Sequence, residues 1–198
     1  MSQSTDVAHP SQAELLQRYL QRERDNLVGT LEGLGEYDLR RPVTPSGTSL
    51  LGLVKHLVGV ELGYLGECVG RPAPVELPWD NEQAYEEGAD MWATAEESSE
   101  WLLGLYRRAW VHGDESIRVL GLDAPASVPW WPEERRSTPL GYVLVHLLAE
   151  TAHHAGHADI LRETIDGRGG RDHDDIGDEA WWADHVAKVQ AAADAHRG

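Results

Sequence analysis

The chain has 198 residues, enough for a core that folds on its own, and its 34 acidic against 17 basic side chains give a formal charge of −17. That balance repels phosphate backbones and anionic lipid headgroups, so neither nucleic acid nor a membrane is an expected partner. One cysteine, Cys68, rules out an internal disulfide and a cysteine-cluster metal site, so any metal has to be held by nitrogen and oxygen.

The start, MSQSTDVAHPSQ, has neither the basic opening nor the apolar stretch of a secretory signal, and no apolar run reaches about 18 residues, so a cytoplasmic protein is expected. We expect a flexible N-terminus over 1–10 and one helical domain over 11–198. Basic residues are almost all Arg, with Lys only at Lys55 and Lys188, and Phe is absent while Trp occurs eight times, a bias that GC-rich coding produces.

In chain order, Ser11 to Glu14 (SQAE) forms a capping-box pattern, and Leu15, Leu16, Tyr19, Leu20, Leu27, Leu31 and Leu34 continue at helical spacing up to Gly35. After RPVTPSGTS, Thr48 or Ser49 caps a second helix with Leu50, Leu53, Leu57, Val60 and Tyr64 on its apolar stripe and Gly70 and Pro72 at its end. His56 lies about one turn from both Leu53 and Val60. The stretch RPAPVELPWDNEQAYEEGADMW reads as a long loop at a surface or a site mouth. Thr94 to Glu97 (TAEE) suggests a second capping box, opening a third helix through Trp101, Leu102, Leu105, Tyr106 and Trp110 to about Leu120. Beyond a Pro-rich stretch with a Trp pair, Thr138 as N-cap and Pro139 as first helical residue open a fourth helix running to about Ile165. A Gly- and acid-rich loop then precedes a short helix near Trp181 to Ala195, with Trp181, Val186 and Val189 on its apolar side. No repeats and no alternating strand patterns occur, so an all-α four-helix bundle with a short extra C-terminal helix is the expected fold.

On the fourth helix, Val143, Leu147, Glu150, His154, His157 and Leu161 share one face. Its ends are apolar and its middle is not, the pattern of a polar pocket cut into a bundle core. Glu and His four residues apart converge on one point, which is how bundle cores hold a metal ion, and His56 on a facing helix supplies a third donor. With ten His in the chain, other pairs are open, notably His153 with His157. His153 sits off the stripe and reads as a flanking residue. His157, one turn past His154, reads as a ligand, a substrate contact or a group supporting the ligands. Alone, His56 would be an ordinary half-buried histidine.

The segments KHLVGVE at Lys55 to Glu61 and VHLLAETAHHAGHADILRE at Val145 to Glu163 resemble the DinB/YfiT-like superfamily of metal-binding four-helix bundles, over roughly Glu14 to Ile165. Glu at position 150, where many members carry His, resembles the branch of mycothiol-dependent maleylpyruvate isomerase and the thiol S-transferases. The resemblance implies His56, Glu150 and His154 as ligands of a divalent ion, zinc above all, with Ni2+, Fe2+ or Mn2+ as alternatives, and it implies a homodimer. The isomerase carries a further C-terminal domain and the ergothioneine-pathway iron enzymes an additional catalytic one, whereas here only about Asp166 to Gly198 follows the bundle. A stand-alone S-transferase is the better fit.

Two imidazoles and one carboxylate leave a divalent cation with a net positive charge and open positions, where a small thiol would be favoured as its nucleophilic thiolate. The expected activity is transfer of a low-molecular-weight thiol, of the mycothiol type, to an electrophile. Two other readings stand beside it: a metal-dependent hydrolase with His157 or Asp159 handling protons, and a bundle that binds a metal or small ligand without turnover. Trp79, Trp92, Trp130 and Trp131 are candidates for pocket walls with no catalytic role. The acid runs Glu82 to Asp90 and Asp172 to Glu179 read as solvated loops, the second, with His173, able to hold cations weakly. Cys68 reads as a small core or edge residue rather than a nucleophile.

Overall fold

A computed structural model describes residues 9–170 and 173–197. The expected flexible segment 1–10 falls outside that range except for His9 and Pro10, and Asp172 of the second acid run falls outside it as well. Helix α1 (Gln12–Gly29) opens on the expected capping box: Ser11 Oγ accepts the Glu14 backbone N–H at 3.3 Å and the Glu14 carboxylate accepts the Ser11 N–H at 2.8 Å. It ends sooner than the leucine spacing suggests. Gly33 turns the chain with a φ of 77°, so Leu31 reaches the core from a turn, and a short α2 (Glu36–Arg40) follows.

Ser49 caps α3 (Leu50–Leu65), accepting the Gly52 N–H at 3.2 Å. The expected long loop contains α4 (Glu82–Glu86) and a 3-10 turn at Ala89–Met91. Helix α5 (Ser99–Leu120) starts later than the TAEE pattern implies. Its cap is Ser98, whose Oγ accepts the Trp101 N–H at 3.1 Å, while the Glu97 carboxylate holds the Thr94 N–H at 2.8 Å in a separate turn ahead of the helix. A two-stranded antiparallel hairpin, β1 (Pro125–Ser127) with β2 (Ser137–Pro139), encloses α6 (Glu133–Arg136). Three residues per strand are too few to write an alternating pattern into sequence. Thr138 therefore belongs to β2, and Pro139 is the N-cap of α7 (Leu140–Asp166) rather than its first residue. The last loop holds α8 (His173–Ile176), and α9 (Glu179–Asp194) is capped by Asp178.

Four long helices, α1, α3, α5 and α7, make an all-α bundle in which α3 packs on α5 and α7 and α1 packs on α7. The apolar core comes in two parts. One gathers around Leu27, Leu53, Leu57, Tyr106 and Leu161, the other around Leu20, Leu65, Ile117, Val143 and Leu147. On α7 the junction between them falls where the polar positions Glu150 and His154 interrupt the stripe. By contrast, the apolar side of α9 does not join the core: Trp181, Val186 and Val189 are exposed. No helix among the described residues is long and apolar enough to cross a membrane.

A salt-bridge cluster fixes α1 against α3 and α5. Arg24, with no exposed surface, grips the buried Glu61 carboxylate with two hydrogen bonds, Nε to Oε1 at 2.7 Å and Nη2 to Oε2 at 2.8 Å, and Nη1 reaches Asp114 at 2.9 Å. Burial works against the Arg24 charge, but Glu61 and Asp114 overcome it and raise its proton affinity above the ordinary guanidinium range. A small residue at Gly113 makes room, since a Cβ there would press on Leu65 and approach the Glu61 carboxylate.

Candidate metal centre

Helical spacing brings Glu150 and His154 to one face of α7, and α3 presents His56 opposite them. One donor atom from each of the three lies within 4.8 Å of the others. His154 Nε2 is 3.2 Å and His56 Nε2 3.9 Å from the same Glu150 oxygen, Oε1, and the two imidazole rings are 4.9 Å apart. The three residues predicted from sequence therefore meet. His157 is exposed, its ring 5.6 Å from that of His154, and His153 points to solvent as expected. Asp159 is not at this site: it lines a separate cavity of about 390 Å³ against the end of α1, beside Arg162.

His154 is held below the ordinary histidine range, mainly by burial and then by the neighbouring His56, against the pull of Glu150. That favours the neutral imidazole, the form with a lone pair to give a metal. The polar groups are also incompletely paired. His56 Nε2 makes only a long contact to Glu150, and His154 Nδ1 is buried with no hydrogen-bond partner among the described residues. Two imidazole nitrogens and a carboxylate crowding one point fit a divalent cation.

Sequence reasoning missed Asp90. Its carboxylate lies 2.7 Å from His56 Nδ1, so the outer nitrogen of that ring donates to Asp90 and Nε2 is left facing the centre. In sequence Asp90 belongs to an acid run that reads as solvated, yet its side chain is only 14 % exposed. The 3-10 turn that carries it is clamped to α3 twice. Gly52 lets the Met91 carbonyl approach the helix where any Cβ would collide with it, and Lys55 Nζ bonds the Trp92 carbonyl at 3.0 Å and the Glu97 carboxylate at 2.9 Å. The buried lysine at 55 was the one available signal, since an ammonium on an apolar helix needs partners from elsewhere.

Two of the three donors, His56 and Glu150, line a pocket of about 550 Å³ together with Asp90, while His154 stands behind them and does not line it. Of the four candidate wall tryptophans, Trp79 and Trp130 line it and Trp92 and Trp131 do not. Cys68 is away from it, buried in the core beside Leu65.

A family model described as mycothiol-S-transferase matches residues 15–167, which takes in α1 from its fourth residue, the other three bundle helices and the three converging side chains. The chain belongs to the mycothiol-S-transferase family. That is a DinB-like family, in agreement with the resemblance carried by the α3 and α7 motifs. The match stops at Gly167, the left-handed glycine that closes α7, so α8 and α9 lie outside the part shared with the mycothiol-S-transferase model. A search of curated proteins finds no match.

Proposed function

We propose that the protein is a divalent-metal-dependent thiol S-transferase, with His56, Glu150 and His154 holding the ion, zinc by preference, and a low-molecular-weight thiol of the mycothiol type as the group transferred. One observation carries this reading: two imidazoles and a carboxylate converge beside a largely apolar pocket, which one of the imidazoles and the carboxylate line, in a chain of the mycothiol-S-transferase family. A divalent cation bound there would supply the positive charge that keeps a thiol in its thiolate form near neutral pH.

The residues divide the remaining work. Asp90 keeps the His56 ring turned so that Nε2 faces the centre. Glu150, side chain 33 % exposed, stands where the donors meet the pocket and offsets part of the cation charge. The apolar walls strip water from the electrophile and hold it beside the sulfur, so that attack is effectively unimolecular. In the transfer the sulfur lone pair forms a bond to the electrophilic carbon, the carbon–leaving-group bond breaks with its electrons, and the thiol proton passes to solvent.

The test is conjugation. Purified protein with one equivalent of zinc should accelerate displacement of chloride from monochlorobimane by mycothiol, and removing the metal with a chelator should abolish the acceleration. No rate above background with mycothiol, bacillithiol, glutathione or cysteine would refute it.

A further inference from the structure

Helix α3 lines the pocket with two glycines set among Val60, Leu62 and Tyr64. One and two turns beyond His56, α3 presents Gly59 and Gly63, and each lies beside an indole: a Cβ at 59 would stand 4.0 Å from Trp79 Nε1, and one at 63 would stand 3.6 Å from the Trp130 ring. Trp79 is buried, with Lys55 Nζ 4.4 Å from its ring centre. Trp130 is 57 % exposed yet fixed in direction. Its indole N–H donates to the Tyr64 hydroxyl oxygen at 3.1 Å, Trp131 donates to the same oxygen at 3.2 Å, and that oxygen lies 3.0 Å from His146 Nε2. Two indole donors occupy both lone pairs of the phenol, so its own proton goes to His146. The result is a slot in which each of the two indoles stands over a glycine of α3.

The charge of the slot is one-sided. Glu67, Asp80, Asp90 and Glu150 contribute to its lining, and none of the lining residues is Lys or Arg. The neighbouring cations are engaged elsewhere: Lys55 is paired with Glu97 behind the Trp79 ring, and Arg71 donates to Ser116 at 3.3 Å. A divalent ion would be balanced by Glu150 and Asp90, which leaves the exposed Glu67 and Asp80 uncompensated even before a thiolate binds. One polar group on the wall also awaits a partner. The Trp79 indole N–H, on a residue 2 % exposed, has none among the described residues, and it lies by Gly59, where the carbonyl of an uncharged ligand could accept from it.

We propose that this pocket sets the charge of the electrophile, taking uncharged or cationic molecules with a flat apolar face between Trp79 and Trp130 and rejecting anions. The inference rests on the transferase reading for its chemistry, although the charge order of binding can be measured without turnover. Three unreactive aryl probes serve with the zinc-loaded protein: 4-methylbenzamide, benzyltrimethylammonium and toluene-4-sulfonate, followed by tryptophan fluorescence and calorimetry. The amide and the ammonium should bind, and the sulfonate should bind roughly tenfold more weakly or worse, the size expected from two uncompensated like charges at the edge of a low-dielectric site. A Glu67→Gln, Asp80→Asn double variant, altered only at exposed positions, should close most of that gap without tightening the amide. Equal binding of amide and sulfonate, a gap unchanged in the double variant, or no binding by any probe would overturn the proposal. Conjugation of mycothiol with 4-(chloromethyl)benzamide and 4-(chloromethyl)benzenesulfonate, in which a C–S bond replaces C–Cl and chloride leaves, separates the two readings. The expected charge order in binding with no turnover of either chloride keeps the pocket inference and removes the transferase, whereas turnover that favours the sulfonate does the reverse.

Discussion

Two polar clusters sit inside this bundle, and α3 contributes to both through one short segment, with His56 in one and Glu61 in the other. Around Glu61 the charges are all met: Arg24 meets the carboxylate with two bonds, Asp114 meets Arg24, and both Arg24 and Glu61 are sealed from water. Around His56 the Asp90 contact is short, but those of the two imidazoles to Glu150 are long, and the cluster opens on a pocket. A closed cluster whose charges are paired fixes how helices pack. An open one whose donors face a pocket retains binding capacity, and the difference is legible in ion pairing and exposure together.

The largest expected effect breaks the closed cluster. Glu61→Ala leaves the Arg24 charge buried without its main partner and should cost about 3–5 kcal/mol in urea unfolding, whereas replacing both residues by apolar ones of similar size should recover much of that loss. A cost near zero for the single change would mean that the cluster does not set the packing. The matching change in the open cluster should do the opposite. His154→Ala should reduce bound metal from about one ion per chain to almost none by elemental analysis and abolish thiol conjugation, while the metal-free protein unfolds within about 1 kcal/mol of the parent, because few contacts of a half-satisfied side chain are lost. Metal content equal to the parent would remove the centre.

The contrast explains what sequence made visible. The four bundle helices were readable because each carries a 3.6-residue apolar stripe, and the His56, Glu150 and His154 set because a charge in the middle of such a stripe is costly without a partner. Arg24 carries the same signal, falling between Leu20 and Leu27 on the buried face of α1, but its partners are 37 and 90 residues away, and no local period encodes pairing at that distance. Asp90 left still less trace: it comes from an acid-rich loop, and its value lies in where Gly52 and Lys55 hold that loop. The helix starts that were misplaced, at Ser99 and Leu140, followed turn chemistry that the structure uses just ahead of the helix instead.

Smaller effects follow from the loop that serves the open cluster. Asp90→Asn keeps the shape of the side chain but loses the charge that orients His56, and metal affinity should fall about 10–100-fold in competition with a chromogenic chelator. Gly52→Ala touches no donor. It should push the Met91 carbonyl, and Asp90 with it, away from α3, so that metal affinity falls in the same direction by a smaller factor. If Gly52→Ala lowered stability while metal affinity stayed at the parental value, the loop would be a covering and not a support for His56.

The smallest effect concerns Cys68, the only thiol of the chain, which sides with the closed part of the molecule. Burial, aided by the nearby Glu67, pushes its pKa up to about 11. Because the thiolate is the reactive form, its population at pH 8 is about a hundredth of that expected for an unperturbed cysteine near 9, and alkylation should speed up about tenfold per pH unit until that raised value is reached. Iodoacetamide labelling of the folded protein should therefore be slow at pH 8 and rapid in urea. Cys68→Ala should conjugate an added thiol at the parental rate, since the sulfur in the proposed reaction is brought by the substrate. Rapid labelling of the native protein, with activity lost in step, would move the nucleophile from the added thiol to the chain and make the open cluster an accessory to it.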